Sequence, residues 1–362
     1  MLFHKCGVMC GPQSSAQDMS SGRAHKSSRQ YTVDFHCHIV VPAIERLVAG
    51  LPGKAAEVQQ LEITSGAASA DHNKRVMLPT AGPKLTNLEL RLQDMDAMGV
   101  DLQVISPTAT QYYYWVDREL ASVLVKEQNE AIAATCAKHP DRLVGLGNVS
   151  LQHPELAAEQ LQYLVKELGL KGVAISSSVN GDSLGGDALA PFWRRAHELQ
   201  CVVFIHPFGT TMGTRLDQFY LSNLVGQPLE TAIALSELMF SGTLDRCHQA
   251  KIVAAHGGGY LPTYIGRSDH GFKVRPEAGR CAKSPQEYLK GIWFDSVVYD
   301  GMALRQLIER VGISQVVVGT DYPFDMGDYA PHELVSSLPS LTDAERRALL
   351  GGNALGLLGI TH

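Results

Sequence analysis

The sequence predicts an α/β protein, a (β/α)8 (TIM) barrel. Short apolar runs rich in β-branched residues alternate eight times with longer segments of helical periodicity, which is the pattern of parallel βα units. The runs are continuously apolar, as expected for strands covered on both faces. The chain has 362 residues, whereas this fold typically needs about 250, so the sequence also predicts an insertion and a terminal extension.

The eight predicted strands are spaced so that each is followed by a candidate helix. In chain order they are "YTVDFH" (31–36), "LQVIS" (102–106), "LVGLGNV" (143–149), "GVAIS" (172–176), "CVVFIH" (201–206), "KIVAAH" (251–256), "IWFDSV" (292–297) and "QVVVGTD" (315–321). Predicted helices include residues 118–139, 154–169 and 342–358. The last opens with Thr342 and Asp343, a typical helix N-terminal signal.

Two segments fall outside the βα pattern. Residues 41–86 form an insertion between the first strand and its helix, and we expect a lid or small subdomain at the mouth of the barrel. Residues 1–30 are Ser- and Gly-rich, with no apolar stretch long enough for a signal peptide or a membrane span. They predict a flexible N-terminal arm, with an organelle transit peptide as the alternative, followed by a single barrel domain over residues 31–362.

Composition and charge exclude several function classes. The formal net charge is −6 and no segment concentrates Lys and Arg, so nucleic acid is not an expected partner, and no segment suggests membrane binding. The seven cysteines are widely spaced and contain no CxxC pair, which argues against a disulfide framework and against a zinc ribbon. Reduced thiols and a cytoplasmic location are expected.

Polar residues stand where the predicted strands end, the face on which such barrels build their active sites. They are His36, His38, His206, His256 and Asp321. Side chains alternate along a strand, so His36 and His38 point to the same side and Cys37 to the other. Each residue alone is equally compatible with a structural role. Burying four imidazoles and a carboxylate together without a partner would be costly, and a bound metal supplies that partner.

Three histidines and one carboxylate suit one divalent ion per chain. Zn²⁺ is the expected ion, with Mn²⁺ or Co²⁺ also compatible, and a coordination position is left for water. Such an ion lowers the pKa of its water toward about 7. Asp295 and Ser296 end the seventh strand, where they are candidate hydrogen-bond partners of the site. The aromatic run "YYYW" (112–115) either lines the pocket or packs beneath the lid.

These motifs resemble the amidohydrolase superfamily, and within it the branch that contains 2-amino-3-carboxymuconate-6-semialdehyde decarboxylase. The resemblance runs from about residue 33 to the C-terminus. The segments that carry it are "DFHCH", "RLQDMDAMGVDLQVIS", "FIHPFGTTMGTRL", "LETAIALSELMFSGTLDR", "AAHGGGYLPTYIGR", "FDSVVYD" and "VVVGTDYPFDMG". "HGGG" and "GTDYPF" are specific to this branch, whereas His-x-His alone is not.

The resemblance implies a role for each residue of the site. One zinc would be held by His36, His38, His206 and Asp321. His256 would be the catalytic residue that moves a proton beside the metal. Arg267 would reach into the neighbouring active site of a homodimer and bind the carboxylate of the substrate.

Two positions depart from the family pattern. The family has His-Pro-Trp after the fifth strand, and this chain has His206, Pro207 and Phe208, so a phenyl ring would lie over the substrate. The arginine that grips a substrate carboxylate from the insertion has no certain counterpart. Arg75 is the best candidate, and a solvated charge on the lid explains it equally well. Both departures leave the substrate open.

Three functions are compatible with the sequence. The leading hypothesis is a zinc-dependent, non-oxidative decarboxylase of a small unsaturated or aromatic carboxylic acid, with no organic cofactor. The alternative is a metal-dependent hydrolase of a lactone, an amide or a C–C bond, or a hydratase, on the same barrel. A catalytically silent binding protein is the third, and the complete ligand set argues against it.

Overall fold

Eight parallel strands close into a barrel within residues 30–361, the part of the chain that the computed structural model describes. The barrel strands are β1 (Val33–Ile39), β2 (Leu102–Pro107), β3 (Leu143–Gly145), β4 (Gly172–Ile175), β7 (Val202–Ile205), β8 (Lys251–Ala254), β9 (Trp293–Asp295) and β10 (Val316–Val317). Strands β5 (Ser178–Val179) and β6 (Asp182–Ser183) form a small antiparallel hairpin. All eight predicted strands are therefore confirmed.

Two seams join the sheets into a closed barrel. One sheet has the order β1-β2-β3 and the other the order β10-β9-β8-β7-β4. A parallel bridge between Gly147 and Val173 joins β3 to β4. A second bridge joins Cys37 of β1 to Tyr322, just after β10. Because the first and last strands meet at this second seam, residues at opposite ends of the sequence become neighbours.

Helices cover the outside of the barrel, one principal helix after each strand. They are α5 (Leu88–Met98), α6 (Arg118–Lys138), α7 (Pro154–Lys166), α8 (Ala190–Leu199), α9 (Gln227–Phe240), α11 (Leu261–Val274), α13 (Gly301–Val311) and the pair α15 (Asp343–Arg347) and α16 (Asn353–Leu358). Shorter helices are α10 (Thr243–Arg246), α12 (Pro285–Leu289) and α14 (Pro331–Ser336). Thr342 caps α15 with a complete capping box, as its sequence predicts.

The predicted insertion is entirely helical and lies between β1 and α5. It consists of α1 (Pro42–Val48), α2 (Pro52–Ser65), α3 (Ala67–His72) and α4 (Leu78–Thr86), with a π-helical turn between α3 and α4. Residues of α2 and of the π-helical turn line the cavity at the mouth of the barrel. Its action as a lid stays a prediction. The arm predicted over residues 1–30 lies, apart from residue 30, outside the described residues and also stays a prediction.

Strand β1, which carries two of the site histidines, is buried at all seven of its residues. Arg91 of α5, itself buried, donates hydrogen bonds to the carbonyl oxygen of His38 and to Gln103 Oε1 of β2. A buried guanidinium needs such partners, because an unpaired one would be strongly destabilising. Arg91 thereby fixes the end of β1 that carries the histidines.

The described helices include none with the length and apolarity needed to cross a bilayer. The five described cysteines are free thiols, and none of them forms a disulfide with another.

Candidate functional site

The two histidines of β1 point into the barrel from the same face of the strand. The Nε2 atoms of His36 and His38 lie 3.1 Å apart. Cys37 between them lies on the other face, where its thiol donates to the carbonyl oxygen of Val104 on β2. This is the alternation that the sequence predicts for a strand.

The other predicted strand-end residues meet these two histidines at the same rim. Asp321 Oδ1 lies 3.1 Å from His38 Nε2 and 3.2 Å from His36 Nε2. Potential ligand atoms of four residues lie within 4.8 Å of one another, namely those of His36, His206, His256 and Asp321. All five residues singled out in the sequence are therefore brought together, although His38 and Asp321 are 283 positions apart in the chain.

His256 and Asp321 adopt the left-handed backbone conformation, with φ angles of 54° and 58°. Positive φ is uncommon for residues other than glycine and clusters at functional sites. Gly257, Gly258 and Gly259 continue the left-handed turn with φ between 59° and 75°. The "HGGG" segment therefore serves a tight turn that directs the His256 side chain toward the rim, where Nε2 lies 3.6 Å from Asp321 Oδ2.

Asp295 at the end of β9 is the buried anchor of this arrangement. Its Oδ2 accepts a hydrogen bond from His36 Nδ1 at 2.6 Å and from the backbone N–H of His256 at 3.0 Å. Its Oδ1 accepts from the backbone N–H groups of Gly257 and Val297 at 2.9 and 3.1 Å. One carboxylate thus orients the His36 ring and holds the turn that carries His256. The sequence indicated Asp295 only as a candidate hydrogen-bond partner.

Asp34 is a second buried carboxyl group, and the sequence analysis missed it. Its Oδ2 accepts from Thr320 Oγ1 at 2.7 Å and from Gln103 Nε2 at 2.9 Å, and its Oδ1 accepts from the Thr320 backbone N–H at 3.0 Å. These bonds fix the segment that leads into Asp321. Burial raises the pKa of Asp34 to about 6, and the hydrogen bond from Thr320 opposes that rise. An acidic residue inside the apolar run "YTVDFH" was the available signal.

In the metal-free site, the surroundings of His36 favour its protonated form, and those of His38 and His206 favour the neutral ring. Burial disfavours the imidazolium of His36, but the carboxylates of Asp321 and Asp295 outweigh burial and raise the pKa of His36 to about 10. Burial lowers the pKa of His38, and burial together with the neighbouring histidines holds the pKa of His206 well below its usual value. Burial alone would raise the pKa of Asp321, yet His36 and His256 hold it well below its ordinary range.

The donor set fits a metal ion. His206 Nδ1 lies 3.0 Å from the Pro207 carbonyl oxygen, to which it can donate, and this bond leaves Nε2 with a lone pair. That Nε2 is buried and has no hydrogen-bond partner among the described residues. His36 Nδ1 likewise donates to Asp295, which turns its Nε2 toward His38 and Asp321. Converging imidazole nitrogens, each oriented by a hydrogen bond at its other nitrogen, are typical of metal ligands.

A cavity of about 270 Å³ opens directly above these residues. His38, His206, His256 and Asp321 form its floor, and Phe208, Tyr220 and Phe324 contribute aromatic walls. The described wall residues include no arginine or lysine. Among residues 30–361, the cavity of one chain therefore offers no arginine or lysine to pair with a carboxylate.

The three substrate-binding candidates lie at different distances from this cavity. Phe208 follows His206 and lines the cavity wall. Arg75 lies on the outer face of the π-helical turn, 75% exposed, with its Nε 2.7 Å from Asp71 Oδ1, while Asn73 and Met77 of the same turn line the cavity. Arg267 is exposed on α11 and does not line the cavity. Of these three candidates, the structure therefore brings only Phe208 to the cluster of histidines and Asp321 within one chain.

Comparison with known proteins shows the family to which the chain belongs. The amidohydrolase family model matches residues 33–360. A 2-amino-3-carboxymuconate-6-semialdehyde decarboxylase of Dictyostelium discoideum is 37% identical over 276 residues, which cover 75% of this chain and 76% of that protein. A gamma-resorcylate decarboxylase of Rhodococcus jostii is 26% identical over 286 residues, covering 74% of this chain and 86% of that protein.

Solved structures share the same fold. A 5-carboxyvanillate decarboxylase of Novosphingobium aromaticivorans, determined with bound manganese and 3-methoxy-4-hydroxy-5-nitrobenzoic acid, superposes with a TM-score of 0.81 at 21% identity, covering 93% of this chain and 99% of that chain. The chain belongs to the amidohydrolase family, in the branch of metal-dependent decarboxylases that includes the 2-amino-3-carboxymuconate-6-semialdehyde decarboxylases.

Proposed function

We propose that the protein is a zinc-dependent, non-oxidative decarboxylase of a small unsaturated or aromatic carboxylic acid. The observation that carries the proposal is the convergence of His36, His38, His206, His256 and Asp321 on one rim of the barrel. The names of the curated relatives support the reaction, because those that match most of the chain are decarboxylases of muconate-type or aromatic acids. No organic cofactor is needed for this chemistry.

We assign the metal to His36, His38, His206 and Asp321. When bound, a divalent ion supplies a Lewis acid that binds substrate oxygens and stabilises developing negative charge. Nitrogen and carboxylate ligands in this number suit Zn²⁺. Manganese in the structurally similar 5-carboxyvanillate decarboxylase supports Mn²⁺ as the alternative, and Co²⁺ is compatible with the same donors.

His256 is the proposed proton donor. Its side chain is partly open to the cavity, and its Nδ1 has no hydrogen-bond partner among the described residues. Decarboxylation breaks the bond between the unsaturated or aromatic carbon and the carboxylate and leaves the electron pair on that carbon. A proton from His256 replaces the lost carbon dioxide, and Asp321, 3.6 Å from Nε2, keeps the imidazole in place.

The active unit is proposed to be a homodimer. The described cavity wall contains no arginine or lysine, so an acid group of the substrate that lies away from the metal needs a cation from elsewhere. Arg267 is exposed on α11 and forms no ion pair with the described residues, so it is available to a partner subunit. Arg75 on the insertion would reach the site only if the π-helical turn rotates when the insertion closes as a lid. Phe208 would lie against the plane of the substrate.

The proposed setting is the cytoplasm. Five free cysteines and the lack of a disulfide among the described residues support a reducing compartment. The expected partner is a small carboxylic acid, and neither nucleic acid nor membrane is part of the proposal.

A substrate screen tests the proposed reaction. Aromatic and muconate-type acids are incubated with the Zn²⁺-loaded protein, with ultraviolet absorbance and carbon dioxide release followed together. We expect one molecule of carbon dioxide to be released for each molecule of acid consumed. This turnover should be lost when a chelator removes the metal and should return when Zn²⁺ is added. Turnover of lactones or amides without carbon dioxide would instead establish a hydrolase. Stoichiometric metal without any turnover would favour a binding protein.

A further inference from the structure

We call the cavity above the proposed metal ligands the metal cavity. A second cavity lies beside it, and we call this one the aromatic chamber. Its volume is about 490 Å³. Helix α2, the segment Tyr112–Trp115 after β2, the β5–β6 hairpin and the loop after β7 form its walls. Five wall residues belong to both cavities, namely Leu61, Thr64, Phe208, Gly209 and Thr210. These shared residues place the chamber directly beside the metal cavity, with Phe208 in the wall common to both.

The aromatic walls are packed into fixed positions. The rings of Tyr112 and Tyr114 stack with centroids 5.7 Å apart and planes 16° apart. Trp115 Nε1 donates to Glu57 Oε1 at 3.1 Å. Gly53 on α2 makes room for this indole, because a Cβ at that position would lie 2.2 Å from the ring. A preformed aromatic wall favours a planar apolar group, since little side-chain ordering is needed on binding.

Two buried polar groups of the chamber have bonding capacity left. The hydroxyl of Tyr112 is buried and has no hydrogen-bond partner among the described residues. Glu230 is 4% exposed, and its Oε1 accepts from Thr210 Oγ1, Thr211 N and Thr211 Oγ1 at 3.4, 2.6 and 2.7 Å. Its Oε2 accepts no hydrogen bond from the described residues. An unused acceptor of this kind is expected to meet a donor of the ligand.

The negative charge of the chamber walls disfavours a ligand that would place a second carboxylate in the chamber. Glu57 is paired with Lys54 at 3.0 Å, whereas Glu230 has no ion pair within the described part of the chain. Lys54 itself does not line the chamber, and neither does any arginine among the described residues. A carboxylate in the chamber would face an unpaired buried carboxylate and lose hydration without compensation. A hydroxyl or amino group would instead be stabilised.

We infer that the substrate is larger than a single ring: its reacting carboxylate lies at the metal, and a planar tail bearing an uncharged hydroxyl or amino donor occupies the aromatic chamber against Glu230. This inference rests on the proposed function and names the substrate class of the same site. It assigns Ala56, Tyr112 and Glu230 to recognition of the tail.

Equilibrium binding to the full-length Zn²⁺-loaded protein tests the inference with three acids. They are 2-hydroxybenzoate, 3,4′-dihydroxybiphenyl-4-carboxylate and 3-hydroxybiphenyl-4,4′-dicarboxylate. The dihydroxybiphenyl acid should bind at least about tenfold more tightly than either of the others, because it alone fills the chamber and donates to Glu230. Equal affinity for all three acids, or binding of none, would overturn the inference.

Substitutions on α2 localise the effect. Ala56→Trp fills the chamber, so it should reduce the affinity ratio of the dihydroxybiphenyl acid to 2-hydroxybenzoate to about one. Ala55→Trp is the matched control, because Ala55 is exposed on the same helix and lines neither cavity. Glu230→Gln should reduce the ratio of the affinity for the dihydroxybiphenyl acid to the affinity for the biphenyl dicarboxylate. A ratio that Ala56→Trp leaves unchanged would overturn the inference.

Carbon dioxide release separates the two levels of the proposal. A protein with the expected affinities that releases no carbon dioxide from any probe refutes the proposed decarboxylase and leaves the chamber assignment standing. A protein that decarboxylates 2-hydroxybenzoate and shows no preference for the larger acid refutes the chamber assignment alone.

Discussion

Asp295 Oδ2 lies 2.6 Å from His36 Nδ1 and also accepts a hydrogen bond from the backbone N–H of His256. One carboxylate therefore contacts both a proposed metal ligand and the turn that carries the proposed proton donor. The hydrogen bond from His36 and its positive charge hold the pKa of Asp295 below its usual value although burial alone would raise it. Metal-ligating histidines depend on such partners for their orientation.

Asp295→Asn should weaken metal binding by about ten- to a hundredfold. The amide keeps the size of the side chain but removes the negative charge that orients and polarises His36. Competition with a chromophoric chelator measures the affinity, and circular dichroism verifies the fold. Asp300→Asn is the matched control, because Asp300 caps α13 away from the cavity and asparagine is an equally good cap. Equal metal affinity in both variants would contradict the assignment.

The double variant His36→Ala/His38→Ala should retain almost no metal, whereas the wild-type chain should hold close to one ion. Two of four ligands are lost, and the remaining pair cannot complete a coordination shell. Elemental analysis after gel filtration gives the stoichiometry. His197→Ala/His248→Ala removes another pair of neighbouring imidazoles, 4.9 Å apart and outside the cavity, and should leave the metal content unchanged. Stoichiometric metal in the first variant would refute this site.

His256→Asn should keep the metal but lose at least about a hundredfold in turnover, the usual contribution of a positioned acid–base group. Asparagine is preferred to alanine here because residue 256 has a φ of 54°, which asparagine tolerates better. Metal content and steady-state turnover are measured on the same preparation. Near-normal turnover would reduce His256 to a structural role, and loss of the metal would make it a ligand.

Arg267→Ala should raise KM for an anionic substrate strongly, because a charge-assisted contact is lost. Lys273→Ala, on the exposed side of the same helix, is the control and should have no such effect. At a substrate concentration far below the raised KM, Arg267→Ala chains should show little activity, and mixing them with His256→Asn chains should restore it, since a mixed dimer contains one pocket free of both defects. Mixed dimers that form but stay inactive, or an active monomer, would rule out the cross-subunit role.

Metal affinity should rise with pH by about tenfold per unit between roughly pH 7 and 9. Burial opposes protonation of His36, yet Asp321 and Asp295 raise its pKa to about 10, so the metal-free protein carries a proton there that the ion must displace. Lower pH strengthens this competition and weakens binding. Chelator competition across this range gives the slope, and Asp295→Asn should end the rise at a lower pH. A metal affinity that does not change with pH would contradict the displacement of a proton from His36 by the ion.

The strands and the convergence of the histidines with Asp321 could be predicted because both depend on local patterns. Apolar runs identify each strand, and a polar residue at the end of such a run marks the rim of the barrel. His206 and His256 follow β7 and β8 directly, so their convergence followed from the topology alone. The first strand continues to Ile39, three residues beyond the predicted end, and so includes His38.

Other features depend on contacts that the sequence does not encode locally. The bonds from Thr320 to Asp34 join residues 286 positions apart, and only the closed barrel brings them together. Arg75 illustrates a second difficulty. Its segment was predicted near the cavity, but which face of a helical turn contacts the barrel depends on tertiary packing, and Asn73 and Met77 line the cavity instead.

The seam between β1 and β10 has a consequence for biosynthesis. The backbone N–H groups of Thr320 and Asp321 both donate to the carbonyl oxygen of His36, so the proposed metal centre is completed only where the first and last strands meet. A chain emerging from the ribosome presents His36 and His38 long before Asp321 is made. Because domains are synthesised N-terminus first, we expect the proposed centre to capture its ion only after nearly the whole barrel has been translated.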